Sequence, residues 1–389
     1  MRILQICQKP QRRGAEIFAY QLSTTLETQG HSVRIIYLYP HVDGVNLSLR
    51  DDDRILHGQE SHLFEKGFGV HPQLLRRLLA QIDAFRPDVI QVNGGRTVKY
   101  GAFSARCRPK RRWVLIYKNI DNPMYWVRDR LRLVFYQHLV MSQVDGVVGV
   151  SESTLQGVRD LYHLNVPSIC VLNGRDPAQL QCNIVNEDIR HELGVACDTA
   201  VLLFIGRLTQ QKRPDRFLRV VHKVHQAYPN IEAWLMGDGP LQTELLNQAQ
   251  QLGIHKIVRF LGYQEHVGPY LAASDLLLST SDSEGTPGVV LEAGFLGKPV
   301  IATNVGGTAG CIQNGKTGIL VDSNDEISLA DSVISLLDNP SRLVEMGNTA
   351  KDWMMTDFTI DRAAREYASF YGEVIARQAA SRARTIFRY

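Results

Sequence analysis

The chain has 389 residues and a mass of 43.8 kDa, too long for one ordinary hydrophobic core, so two domains are expected. Its composition, 44% hydrophobic and 21% charged, is that of a globular protein, and no apolar run approaches the ~18 residues that a spanning helix needs. The net charge of +3 is unevenly placed: residues 1–175 hold 24 Lys and Arg against 15 Asp and Glu, a balance of +9, and the remainder holds 19 against 25, a balance of −6. The front half therefore suits an anionic partner, a phosphate-bearing substrate or an anionic membrane face, or is simply an uneven solvated surface. No nucleic-acid-binding motif is present, so nucleic acid is not an expected partner.

The first residues, Met1 to Cys7, are too short an apolar run for a signal segment and read as a buried strand. A polar loop follows, then helical spacing over Ala15–Gln29 that Gly30 stops, and a second strand over Ser32–Tyr39. Further strands are predicted at Val89–Val92, Trp113–Tyr117, Val147–Val150 and Ile169–Leu172, with helices such as Pro72–Phe85 and Ser153–Tyr162 between them. After a polar stretch, Asn173–Asp198, the alternation restarts. Strands are expected at Ala200–Ile205, Ile231–Met236, Val258–Leu261, Leu276–Leu278 and Pro299–Ala302. Helices are expected at Pro214–Tyr228, Leu241–Leu252 and near Gly288–Gly297. This rhythm predicts an α/β chain of two doubly wound Rossmann-like domains, 1–175 and 176–360, with a cleft for ligands at their strand ends. A helix over 361–389 is expected to pack back on the first domain.

Six cysteines (Cys7, Cys107, Cys170, Cys182, Cys197, Cys311) lack C-x-x-C spacing, and twelve histidines form no metal motif. They read as small buried side chains in a reducing cytoplasm, with no metal site. Four segments can carry chemistry. In Gly206-Arg207-Leu208-Thr209-Gln210-Gln211-Lys212, two cations follow a strand end, where they neutralise an anion or decorate a solvated loop. In Glu284-Gly285-Thr286-Pro287-Gly288-Val289-Val290-Leu291-Glu292, a loop enters a helix whose free N–H groups at Gly288, Val289 and Val290 form an anion seat. The two acids serve there as sugar and ribose partners, or as a cap and a solvated helix residue. A paired-carboxylate glycosidase is disfavoured by their eight-residue separation. Arg13-Gly14-Ala15-Glu16 gives a weak phosphate turn, or an ordinary one, without the dinucleotide fingerprint. Gly237-Asp238-Gly239-Pro240 and Gly262-Tyr263 are turns whose backbone groups can read a base edge, or ordinary tight turns.

In this order the segments resemble family-4 glycosyltransferases, retaining enzymes of the two-Rossmann GT-B fold. Glu284 and Glu292 match that family's Glu-x7-Glu pattern, and Gly297-Lys298-Pro299, Gly306-Gly307, Thr317-Gly318, Val150-Ser151 and Asn173-Gly174 add support. The resemblance implies that Arg207 and Lys212 bind the donor diphosphate and Glu284 the donor sugar. It implies that Glu292 binds the ribose, the backbone of Gly14 and Gly288–Val290 the phosphates, and that Gly262 and Tyr263 flank the base. It implies metal-independent transfer of a hexosyl group from a UDP- or GDP-sugar, with no other cofactor, to a hydroxyl of a lipid-linked or surface-glycan acceptor. Location in the cytoplasm, peripheral on the inner membrane face, goes with that role. A same-fold epimerase and a non-catalytic nucleotide-sugar-binding protein are the alternatives. Three departures stand out. Arg13 replaces a glycine, Gly310 replaces an acid, and Lys118-Asn119 stand where many members carry a histidine. The run Arg106-Cys107-Arg108-Pro109-Lys110-Arg111-Arg112-Trp113 is a candidate docking face for anionic membrane, unless Trp113 opens a buried strand.

Overall fold

A computed structural model describes residues 1–41, 46–58, 70–120, 123, 127, 129–181 and 188–386. Backbone contacts divide the chain into two units, Met1–Gly174 together with the chain from Ile360 on, and Arg175–Thr359.

The first unit is built on a seven-stranded sheet. Its strands are β1 (Arg2–Cys7), β2 (Ser32–Tyr37), β3 (Arg54–Ile55), β4 (Val89–Asn93), β5 (Val114–Asn119), β6 (Gly146–Gly149) and β7 (Ser168–Cys170). All neighbours run parallel in the order β3-β2-β1-β4-β5-β6-β7. Strands of such a sheet are covered on both faces, which is why they read as unbroken apolar runs rather than alternating ones. β5 runs two residues past the predicted Tyr117 and takes in Lys118 and Asn119, both buried. The helix Glu152–Tyr162 starts where Ser151 and Thr154 exchange bonds, Thr154 N–H to Ser151 Oγ at 3.2 Å and Ser151 N–H to Thr154 Oγ1 at 3.0 Å. This reciprocal cap accounts for the serine after Val150.

The last helix, Ile360–Ile386, belongs to this unit. It buries Ile360, Ala363, Ala364, Tyr367, Phe370, Tyr371 and Val374, a stripe at helical spacing, against β1, β4, β5 and helix Gly14–Thr28. Tyr367 meets the Phe18 ring at 5.9 Å, and Tyr371 Oη donates to Gln91 Oε1 at 2.5 Å.

The second unit carries β8 (Ala200–Ile205), β9 (Ile231–Met236), β10 (Val258–Gly262), β11 (Leu276–Ser279), β12 (Val300–Thr303) and β13 (Gly318–Val321). They form a parallel sheet in the order β10-β9-β8-β11-β12-β13. That is the classical doubly wound order, reversing between β8 and β11. The two-residue β3 and the edge strand β13 are not among the predicted strands.

The five described cysteines are free thiols, and Cys182 lies outside the described residues. No helix among the described residues is long and apolar enough to cross a membrane. The basic run differs from its expectation. Trp113 is buried ahead of β5, Arg106 donates to the carbonyls of His138 and Leu139, Arg108 pairs with Asp83, and Arg111 pairs with Asp145. Of its five cations, Lys110 and Arg112 stand exposed without a bonded partner among the described residues.

Candidate functional site

In the second unit the crevice outside β8 and β11 is where a doubly wound sheet binds ligands. Three loops meet there. Gly206 N–H donates to Met236 C=O at 3.0 Å, Leu208 N–H to Asp238 C=O at 2.9 Å, and Gly237 N–H to Gly262 C=O at 2.7 Å. The segments are so close that a Cβ on Gly237 would lie 2.0 Å from the Gly206 carbonyl oxygen, and its φ of +130° also calls for glycine. The Gly237 N–H is thereby taken up by the Gly262 carbonyl. Tyr263, next along, is 43% exposed.

Loop 206–213 is tied to loop 280–284. Asp282 N–H donates to Gln211 C=O at 2.9 Å, Gln211 Nε2 to Ser283 C=O at 3.0 Å, and Thr280 Oγ1 to Arg213 C=O at 2.8 Å. This brings Lys212 Nζ to Glu284 Oε1 at 2.5 Å, an oxygen that also accepts from Ser281 Oγ at 2.6 Å. Glu284 Oε2 makes no hydrogen bond among the described residues. The Glu284 side chain is 8% exposed. Its carbonyl accepts from Gly307 N–H at 3.0 Å, and a Cβ on Gly306 would lie 2.0 Å from that same oxygen, which explains the Gly-Gly pair. Arg207, by contrast, is exposed and pairs with no described residue. Burial, and then the nearby Glu284 charge, pushes the Cys311 thiol up to about 12, so it stays neutral beside the loop.

The helix Gly288–Phe295 starts one residue after Pro287, which sits at the cap rather than in the first turn. The N–H groups of Gly288 and Val289 make no hydrogen bond within the described residues, whereas Val290 N–H donates to Pro287 C=O at 3.1 Å. The expected three-donor seat is thus a two-donor one. Glu292 is not a solvated helix acid: its Oε1 accepts from Arg175 Nε at 2.9 Å, and its Oε2 makes no hydrogen bond among the described residues. Sequence reasoning passed over Arg175. The adjoining Asn173-Gly174 was visible, but nothing local connects Arg175 to a residue 117 positions away.

Gly14 lies in the first unit, exposed, as the first residue of helix Gly14–Thr28. Behind it, burial raises the Glu16 carboxyl above its ordinary range, although Gln11 Nε2 donates to it at 2.9 Å. Lys118, fully buried, places Nζ 3.6 Å from the centre of the Phe18 ring. Asn119 donates to Thr154 C=O at 2.9 Å and accepts from Tyr117 Oη at 2.8 Å. No cluster of three or more His, Cys, Asp or Glu able to hold a metal occurs among the described residues. A cavity of about 750 Å³ in the second unit is lined by Gln210, Arg213, Arg219, Gln248 and Asp282 and touches none of Arg207, Lys212, Glu284 and Glu292. Its arginines are already paired with Asp215, Asp282 and Glu326.

Two family models match along the chain, that of the glycosyl transferases group 1 over residues 185–353 and that of glycosyltransferase family 4 over residues 12–179. Together the two models cover most of the chain, which is similar to the glycosyltransferases that both describe. Among curated proteins, the N-acetyl-alpha-D-glucosaminyl L-malate synthase of Bacillus anthracis is 31% identical over 60% of this chain and 61% of its own length. A D-inositol 3-phosphate glycosyltransferase of Corynebacterium kroppenstedtii is 34% identical over 56% of this chain and 49% of its own length. The chain thus spans about half to three-fifths of these relatives. Among solved structures, the Anabaena protein HepE in complex with UDP-glucose superposes with a TM-score of 0.76 at 20% identity, covering 98% of this chain and all of HepE. The sucrose-phosphate synthase of Thermosynechococcus elongatus gives 0.80 at 19% identity, covering 97% of this chain and 99% of the synthase. At such identities the likeness establishes the family's GT-B fold in this chain.

Proposed function

We propose that the protein is a retaining glycosyltransferase that moves a hexosyl group from a UDP- or GDP-sugar to a hydroxyl of a lipid-linked or surface-glycan acceptor, without a metal. The observation that carries this reading is the convergence of one exposed arginine, the Lys212–Glu284 pair and two open helix N–H groups at the ends of β8 and β11. Arg207 and Lys212 neutralise the charge growing on the departing diphosphate, and the N–H groups of Gly288 and Val289 receive a phosphate with the helix dipole behind them. Glu284 keeps Oε2 for a sugar hydroxyl and Glu292 keeps Oε2 for the ribose. Tyr263 flanks the base, and Gly14 of the first unit remains a proposed phosphate contact. The first unit takes the acceptor. The solved relative in complex with UDP-glucose supports a nucleotide-sugar donor.

Attachment to an anionic membrane face from the cytoplasm belongs to the same proposal. Its support is the exposed Lys110 and Arg112, and in helix Arg130–Phe135 the exposed Leu131 (76%) and Val134 (46%), and co-sedimentation with anionic vesicles reads it. The deciding experiment for the activity is a thermal-shift screen across nucleotide sugars, followed by assay of nucleoside-diphosphate release with and without glycan acceptors, in EDTA. Stabilisation by one donor and acceptor-dependent, EDTA-insensitive release are expected. A requirement for Mg²⁺ or Mn²⁺ would overturn the metal-free reading, and turnover of the donor that ignores acceptors would favour an epimerase.

A further inference from the structure

The chain enters the second unit at Arg175 and leaves it at Thr359, and these two residues are paired as a parallel bridge. Arg175 N–H donates to Phe358 C=O at 2.9 Å, so the Arg175 backbone is pinned where the unit's two ends meet. Its side chain is only 5% exposed and runs to the helix Gly288–Phe295. Nε donates to Glu292 Oε1 at 2.9 Å, and the guanidinium lies against Gly288, where a Cβ would sit 1.9 Å from Nη2 and 2.9 Å from Cζ. Gly288 and Glu292 are four residues apart and share one helix face. The planar guanidinium therefore fits only because position 288 has no side chain. A lysine could supply the charge but not the fork.

We infer that Arg175 is a positioning residue for the nucleoside part of the donor: it fixes Glu292 through Oε1, as a carboxylate, and leaves Oε2 aimed to accept from a ribose hydroxyl. This rests on the reading of Glu292 as the ribose partner. Glu292 without its partner would be free to change rotamer, and that change removes the acceptor that the ribose needs. The bridge to Thr359 fixes where the Arg175 side chain starts, and the Nε–Oε1 bond and the close approach to Gly288 fix where it ends.

Calorimetry on the full chain tests this with UDP and GDP, and with the 2′,3′-dideoxy form of whichever binds. Arg175→Gln is expected to weaken the ribonucleotide about tenfold, the scale of one charge-assisted hydrogen bond. It should leave the dideoxy nucleotide within about threefold, because that analogue has no hydroxyl for Glu292 to bind. Arg175→Lys should recover only part of the loss. The double variant Arg175→Gln/Glu292→Gln should bind no more weakly than Glu292→Gln alone, since both act through one carboxylate. If the buried carboxylate stops Arg175→Gln from folding, the double variant removes that charge and carries the comparison. Equal losses for ribo- and dideoxynucleotide, or additive losses in the double variant, overturn the inference while leaving the donor reading intact. A wild-type chain that binds neither UDP nor GDP overturns the donor reading itself, and the inference with it.

Discussion

Both units are wound on the same plan, a parallel sheet whose order reverses at its first strand, yet their central strands end differently. In the first unit β1 ends at the buried Cys7 and β5 at Lys118 and Asn119, which are 0% and 1% exposed. Behind them Gln5, Ser23, Gln91, Asn93 and Tyr371 satisfy one another in a chain of hydrogen bonds. In the second unit β8 and β11 run into loops that are tied just as firmly, but Arg207, one oxygen each of Glu284 and Glu292, and the N–H groups of Gly288 and Val289 have no partner among the described residues. Buried polar groups are normally bonded. The open oxygens of Glu284 and Glu292 on these loops are what the proposed donor would bond.

The contrast breaks first at the two cations. Arg207→Ala should lower turnover at least about tenfold, as expected for a lost charge-assisted bond, with the unfolding midpoint unchanged because Arg207 holds no described residue. Lys212→Ala should lower turnover at least as much and also destabilise the chain by about 3 kcal/mol, because it strands the Glu284 carboxylate in a site where it is 8% exposed. The sequence alone suggests that either cation can be removed without harm to the fold; the 2.5 Å pair separates them. Steady-state kinetics beside urea unfolding checks both, and equal stability losses in the two variants would show that the pair is not what sets Lys212 apart.

How much of this was legible follows from how local each signal is. Strands such as Ala200–Ile205 and Ile231–Met236 were readable because burial on both faces demands unbroken apolar runs. The glycines of 237 and 306 were readable as a motif, although their cause, a carbonyl 2.0 Å from any Cβ, appears only in three dimensions. What escaped depends on distant partners. Arg175 acquires its meaning from Glu292, and the basic run loses three of its five cations to Asp83, Asp145 and the carbonyls of residues 138 and 139. Lys118 and Asn119 read as loop because they are polar, but pairing with β4 and β6 carries them into the sheet.

That buried lysine offers the next test, on the other side of the comparison. Lys118→Met keeps the length of the side chain and removes the cation above Phe18, a contact worth about 2 kcal/mol when desolvated. The expected loss is about 1–2 kcal/mol of stability by urea unfolding, since methionine restores part of the packing. Nucleotide affinity, assigned to the second unit, should stay within about twofold, a difference below 0.5 kcal/mol. A large loss of nucleotide affinity would show that the closed strand ends of the first unit are not separate from donor binding.

The smallest expected effect concerns acid. Asp215 opens the helix Pro214–Ala227 between Arg213 and Arg219, both of which bond to it at 3.0 Å. Burial by itself would raise its carboxyl, but the bonds from Arg213 and Arg219 outweigh that and hold it below its ordinary value. A depressed folded-state value means that the folded chain favours the carboxylate. The stabilisation is therefore complete above the unfolded aspartate value, about pH 4, and is lost as pH falls through the lower folded value. Asp215→Asn should cost about 1 kcal/mol at pH 7, a modest figure because the arginines are partly exposed and water screens them. The gap between wild type and variant should narrow steadily on acidification below about pH 4 and close once Asp215 is protonated in both states. Urea midpoints measured at intervals from neutral to strongly acid pH would show this; a gap that stays constant with pH would mean that the asparagine costs shape rather than charge.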